Sequence, residues 1–149
     1  MNQIDVIIKE PSTSHEIDEY YKLRWEILRM PLGQALEFSK DKLEDVSHHL
    51  IALLDKKYII GVGRIHSLNI EECQIRYMAV LKKYQKYTIG TMLLNSLELH
   101  AKKINKKYIV LHARESALNF YIKNRYNIVE KSHLLYDEIQ HYLMRKEIK

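Results

Sequence analysis

Apolar positions along the chain change period several times, and the changes divide it into elements. Ile4 to Lys9 is rich in Ile and Val and runs into Pro11, which predicts an opening strand. Thr13 followed three residues later by Glu16 is a capping-box signature, and Ile17, Tyr20, Tyr21, Ile27 and Leu28 recur at helical spacing. A helix is therefore expected until Pro31 and Gly33 stop it. Gln34 to Ser47 has no clean period; it reads as a loop with a short helical turn that carries Asp41, Glu44 and Asp45 and walls one side of a cleft. The apolar runs His48 to Leu54 and Tyr58 to His66 flank Asp55-Lys56-Lys57 as a hairpin. Gly61 and Gly63 fall inside the second run, where glycine marks a bulge or a close approach by another backbone or a ligand.

After the polar connection Ser67 to Glu72, Cys73 to Val80 alternates as a strand. Cys73, Ile75, Tyr77 and Ala79 are expected on one face and Gln74, Arg76, Met78 and Val80 on the other. Ile89, Met92, Leu93 and Leu97 share one face of a helix that runs to about Asn105. Tyr108 to Ala113 is a short apolar strand of the kind covered on both faces. Ser116 caps a short helix with Ala117, Phe120 and Tyr121 on one side, ending near Asn124, and Ile128 to Leu135 and His141 to Met144 read as two closing strands joined by Tyr136 to Gln140. This order predicts one domain over 1–149, an α/β (α+β) three-layer fold whose mixed central sheet carries helices on both faces. The crossover from Cys73 to Ala113 should make its two strands parallel.

Composition narrows the class. Hydrophobic residues at 46% and charged residues at 29% are ordinary for a folded domain, which argues against disorder. No apolar run reaches the roughly 18 residues of a membrane span. Met1 to Pro11 is acidic where a signal peptide would be basic and then apolar, so a soluble cytoplasmic protein is expected. Cys73 is the sole cysteine, which excludes an intrachain disulfide and a thiolate metal cluster; no metal is expected. The net charge of +5 leaves room for an anionic ligand or nucleic acid, although part of it reflects a lysine-rich, glycine-poor composition.

The candidate chemistry is concentrated between Ile75 and Leu99. A strand ending in Met78, Ala79 and Val80 passes through Gln85-Lys86-Tyr87-Thr88-Ile89-Gly90 into a helix. Such a helix start offers unpaired N–H groups, a positive dipole end and nearby Lys82, Lys83 and Lys86, all of which suit a phosphate. Those lysines equally fit a solvated basic face. Arg24 falls within the apolar stripe of the first helix and reads either as a snorkelling side chain or as a charge lining an internal cleft.

These residues carry a resemblance. The chain is similar throughout its length to the GNAT superfamily of acetyl-coenzyme A dependent N-acyltransferases, whose pyrophosphate loop is matched by Gln85, Thr88 and Gly90. Its later helix motif is matched by Phe120-Tyr121 with Lys123 and Tyr126. The pattern of a small single-domain subgroup is echoed by Leu23-Arg24, Leu28-Arg29-Met30-Pro31-Leu32-Gly33, Gly61-Val62-Gly63-Arg64, Ile75 to Val80, Ala113-Arg114-Glu115-Ser116-Ala117 and His141 with Met144. Thr88 and Arg125 stand where the two motifs usually have glycine, and His112 where the subgroup more often has asparagine.

The resemblance implies that the strand at Met78, Ala79 and Val80 splays from the strand at Leu111 and that the pantetheine arm of acetyl-coenzyme A lies in the gap. Backbone N–H groups of Gln85, Lys86, Tyr87, Thr88, Ile89, Gly90 and Thr91 would wrap the pyrophosphate, and Asn119 would contact the arm. It further implies direct attack by a neutral amine on the thioester. A backbone N–H near Val80 would face the developing oxyanion, Tyr121 would act as general acid, and His112, His49 or His141 would be the base, with Glu115 behind them. Arg24, Arg64 and Arg76, with His49 and His141, are expected on the acceptor side, where the arginines would favour a carboxylate or phosphate. The expected partner is a small-molecule or protein amine, for a monomer or homodimer with no membrane and with nucleic acid disfavoured. The alternatives are a non-catalytic coenzyme A sensor on the same fold, or a basic nucleic-acid-binding module using Lys82 to Tyr87 with Lys102, Lys103, Lys106 and Lys107.

Overall fold

The spacing of Thr13 and Glu16 does set a helix start. The Thr13 hydroxyl accepts the Glu16 N–H at 3.0 Å and the Glu16 carboxylate reaches back to the Thr13 and Ser12 N–H groups, an arrangement that contributes about 1 kcal/mol. The computed structural model describes residues 4–136 and 138–148; residue 137, in the predicted connection 136–140, lies outside it. The elements are β1 (Val6–Lys9), α1 (Ser14–Leu28), β2 (His48–Leu54), β3 (Tyr58–Ser67), β4 (Glu72–Val80), α2 (Ile89–Lys103), β5 (Tyr108–Arg114), α3 (Leu118–Lys123), β6 (Asn127–Leu135) and β7 (Ile139–Glu147). No described helix is long and apolar enough to cross a membrane.

One seven-stranded sheet, in the order β1-β2-β3-β4-β5-β7-β6, organises these elements. The pairing of β4 with β5 is parallel, as the intervening helix requires, and the other pairings are antiparallel. On one face Tyr20 and Leu23 of α1 pack on Ile51, Val62 and Ala79. On the other, Leu93, Leu94, Leu97 and Ala101 of α2 pack with Ile65, Ile75, Ile109 and Leu111, and Tyr121 of α3 joins them. Each fully buried aliphatic side chain here contributes about 1.5–3 kcal/mol. The two strand glycines serve this packing: a Cβ at Gly61 would lie 3.0 Å from Leu93, and one at Gly63 would lie 3.1 Å from Leu97. The close approach is that of α2.

Three sequence expectations are corrected. Ser116 does not cap α3: it lies within a 3₁₀ turn, Glu115–Ala117, and the helix starts from Ala117 without a side-chain cap. β7 extends beyond Met144 to Glu147, because it lies between β5 and β6 and its charged end pairs with Tyr108. The strict alternation predicted for β4 breaks at Tyr77, which has φ +57° and sits at a register shift opposite β3. This bulge reverses the faces beyond it: Cys73 and Ile75 belong to the α2 side, Ala79 to the α1 side, and Val80 to the α2 side again.

Candidate active site

The ladder between β4 and β5 runs from Glu72 and Tyr108 only to Ile75 and Leu111. Beyond it the bulge at Tyr77 carries β4 away while β5 continues against β7. The strands separate around a cavity of about 380 Å³ lined by Met78 of β4, His112 and Ala113 of β5, Tyr121 of α3, and His133 and His141. The Tyr121 ring is buried among apolar neighbours, and among the described residues its hydroxyl donates only to the Met78 thioether, at 4.0 Å. Burial pushes this phenol well above its usual range, so it holds its proton.

Val80 leads into a 3₁₀ turn, Lys82–Tyr87, and then into α2. The Gln85 amide is used internally: it donates to the Val80 carbonyl at 3.2 Å and fastens the turn to the end of β4. Thr88 caps α2 with backbone only, in the left-handed region at φ +62°, and its hydroxyl donates to the adjacent Tyr87 carbonyl. The first N–H groups of α2 therefore carry no side-chain cap, beside the exposed Lys82, Lys83 and Lys86. Arg125 stands at φ +73°. Both positions at which the resemblance calls for glycine are thus places where the backbone needs positive φ. Gly90 lies against α3, where a Cβ would meet the Phe120 ring at 3.0 Å.

Several acceptor-side expectations are not met. Arg24 and Arg64 are fully buried and do not line the cavity. Arg24 donates to the Ser39 carbonyl at 2.8 Å and to Glu44 at 2.7 Å, while Arg64 forks onto Asp41 at 2.7 and 2.9 Å and reaches Glu44 at 2.9 Å. The acidic segment expected to wall a cleft instead folds its carboxylates onto these arginines. Burial, the largest single influence, would raise the pKa of Asp41 and Glu44, but the hydrogen bonds from Arg64 to Asp41 and from Arg24 to Glu44, together with backbone N–H donors and the charges of the arginines around them, outweigh it and hold both carboxyls below their usual range. His49 belongs to this cluster too, with Tyr20 Oη at 2.6 Å and the Glu44 carbonyl at 2.8 Å on its two nitrogens. Glu115 faces the surface, where its carboxylate accepts from Tyr142 Oη at 3.0 Å. Arg76 does line the cavity, and gives one arm to Asp41 at 2.9 Å.

His112 and His141 reach the cavity as expected and are joined there by His133, which sequence reasoning missed. His133 stacks on His141 at 4.3 Å between centroids, and His112 lies 5.2 Å from His133. Desolvation lowers all three pKa values, and His141, 6% exposed and close to His133, Arg114 and His112, is lowered to about 4. The neutral form of all three imidazoles is thereby favoured, and His141 is the weakest base of the three. The missing signal was register: β6 and β7 pair Leu134 with Gln140 and Leu135 with Ile139, which sets His133 against His141. Arg29 and Arg114, quoted above only as parts of a pattern, also line the cavity.

The family model described as Acetyltransferase (GNAT) family matches residues 12–125. Protein YyaT of Bacillus subtilis (strain 168) is 28% identical over 144 residues, covering 95% of each chain. The N-acetyltransferase YjcF of the same strain is 24% identical over 132 residues, covering 89% of this chain and 93% of its own. The solved structure of an aminoglycoside 6'-N-acetyltransferase complexed with coenzyme A superposes with a TM-score of 0.81, over 96% of this chain and 97% of that one, at 18% identity. The matched span holds the separating strands, the turn into α2 and Tyr121, and the chain belongs to the acetyltransferase (GNAT) family.

Proposed function

We propose that this chain transfers an acetyl group from acetyl-coenzyme A to a primary amine by direct attack of the amine on the thioester. The observation that carries this reading is the cavity opened where β4 leaves β5, with a protonated phenol in its wall and an uncapped, lysine-flanked helix start at the end of β4. The residues suit the coenzyme: α2 has N–H groups to spare for a pyrophosphate, and the gap between β4 and β5, with Met78, Leu111 and Ala113 on its walls, suits an extended arm. When bound, acetyl-coenzyme A supplies the activated acyl group.

The remaining work falls to the chain. The free N–H groups of the first turn of α2, from Ile89 to Thr91, would hold the diphosphate, those in the second half of the turn before it being engaged in its own i→i−3 bonds. The backbone of Met78, Ala79 and Val80 would orient the arm, with Asn119 beside it. A donor at the end of β4 faces the charge that develops on the carbonyl oxygen. The Tyr121 hydroxyl protonates the departing sulfur, and the imidazole group of His112, with His133 and His141 behind it, takes the proton from the amine. The nucleic-acid alternative is weakened by Lys106 and Lys107, which are engaged with Ser67 at 2.7 Å and Glu71 at 2.9 Å.

Thiol release from acetyl-coenzyme A in the presence of an amine panel tests the reading. Turnover supports it, and coenzyme binding without turnover of any amine makes the chain a sensor. Thr88→Gly probes the seat itself. A β-branched residue at positive φ costs about 1–2 kcal/mol, and glycine returns part of that as backbone entropy. The variant should gain about 0.5–1 kcal/mol in urea denaturation and bind coenzyme A at least as tightly as the wild type. A loss of affinity would show that the Thr88 side chain contributes a contact.

A further inference from the structure

Three guanidinium groups line the cavity, and two of them have no acid. Arg76 is paired with Asp41. Among the described residues Arg29 and Arg114 make no ion pair, and no Asp or Glu lines the cavity. Arg29 is only 7% exposed, and its Nε is buried without a hydrogen-bond partner.

Both groups are held by one atom, the Leu28 carbonyl oxygen, which accepts from Arg29 Nη1 at 3.2 Å and from Arg114 Nη2 at 2.8 Å. That carbonyl ends α1, so it carries part of a helix dipole, about half a charge against two full ones. The Tyr77 ring lies 5.5 Å from the Arg29 guanidinium but also faces Arg24, Arg64 and Arg76, and it supplies no anion. Arg114 loses basicity, first through burial and then through repulsion by Arg29.

The contrast with the rest of the chain is sharp. Arg24 and Arg64, deeper still, are each paired with a carboxylate of Asp41 or Glu44, so that although the Arg64 Nε also lacks a hydrogen-bond partner its charge is met. Burying cations without an anion is expensive, and two guanidinium groups converging on one oxygen leave further N–H donors for whatever enters beside it.

We propose that Arg29 and Arg114 form a clamp for an acidic oxyanion, a carboxylate or a phosphate, carried by the amine acceptor. As a statement about the acceptor it rests on the acetyltransferase reading, whereas the clamp itself does not. The same field repels polycationic amines, whose additional ammonium groups would find no carboxylate in the cavity.

Matched amines that differ in the acid alone test this: amino acids against their amides, O-phosphoethanolamine against ethanolamine, and glucosamine 6-phosphate against glucosamine. In thiol release the acidic member of at least one pair should be preferred roughly 100-fold in kcat/KM, and the pair identifies the oxyanion. Arg29→Met and Arg114→Gln should each narrow that preference about tenfold or more by raising KM for the acidic member. Their thermal midpoints should equal or exceed that of the wild type, because each removes an uncompensated cation. Equal use of acidic and neutral members, or variants that leave the preference intact, overturns the clamp. Calorimetric titration of N-acetyl-amino acids and N-acetylglucosamine 6-phosphate into the coenzyme A complex gives a readout without turnover. Binding weakened in both variants, with no amine turned over, keeps the clamp and defeats the acetyltransferase reading. Turnover of neutral amines with no binding of the acids does the reverse.

Discussion

Glu44→Ala is expected to cost about 3–5 kcal/mol of folding stability, the range for removing one partner from a buried ion-pair cluster. The Glu44 side chain is 12% exposed and serves two guanidinium groups that are fully buried, at 2.7 and 2.9 Å, and also accepts the Asp41 N–H at 2.9 Å. Without it Arg24 retains only neutral oxygens, and Asp41 is left to answer for Arg64 and Arg76 together. A fall in the urea midpoint at unchanged slope measures the effect. A loss below about 1 kcal/mol would mean that water replaces the carboxylate, and the cluster would then count as a surface one. The same cluster sets an acid limit. The folded pKa values of Asp41 and Glu44 lie below their unfolded ones, so the unfolded chain binds more protons as the solution is acidified. The stabilisation is complete at neutral pH and is lost as pH falls through the ordinary carboxylate range toward the lowered values. In Glu44→Ala this dependence should be shallower.

Tyr121→Phe is expected to lower kcat by about 100-fold or more, with coenzyme A affinity changed only a few-fold. The hydroxyl has no strong partner to lose, since the Met78 sulfur at 4.0 Å is a weak acceptor, so folding should be little affected. Its acidity is suppressed by burial, which keeps the proton in place until a stronger base, a departing thiolate, is formed beside it. Thiol release with the acceptor found above measures kcat, and calorimetry with coenzyme A measures affinity. Unchanged kcat would remove Tyr121 from proton transfer and leave it as a wall of the cavity. An equal loss in affinity and rate would make it a binding residue.

These two residues differ in how they could be found. The buried face of Tyr121 was legible because a short helix with Phe120 and Tyr121 on one side needs only neighbours in sequence to define it, while its candidate role came from the resemblance of Phe120-Tyr121 to a family motif. Glu44 was legible as a charge in an irregular segment, but its role was not. Its contacts with Arg24 and Arg64 each span 20 residues, and nothing local says that a loop will turn its acids inward. Reading Arg24 and Arg64 as acceptor-side charges failed for that reason. His133 needed the register of one hairpin, and Arg114 needed a contact with Leu28 across 86 residues.

By itself the sequence determined the order of the elements, the capping box at Thr13, the helix start after Gln85 and the buried face that holds Tyr121. Each rests on side-chain period or on hydrogen bonds within a few residues. Only the tertiary structure decided where β4 bulges, which face Ala79 takes, which arginines meet carboxylates and which two meet none. Those outcomes depend on the packing of segments distant in sequence, where burial makes every unpaired charge costly and so leaves the Arg29–Arg114 pair as the place where one remains.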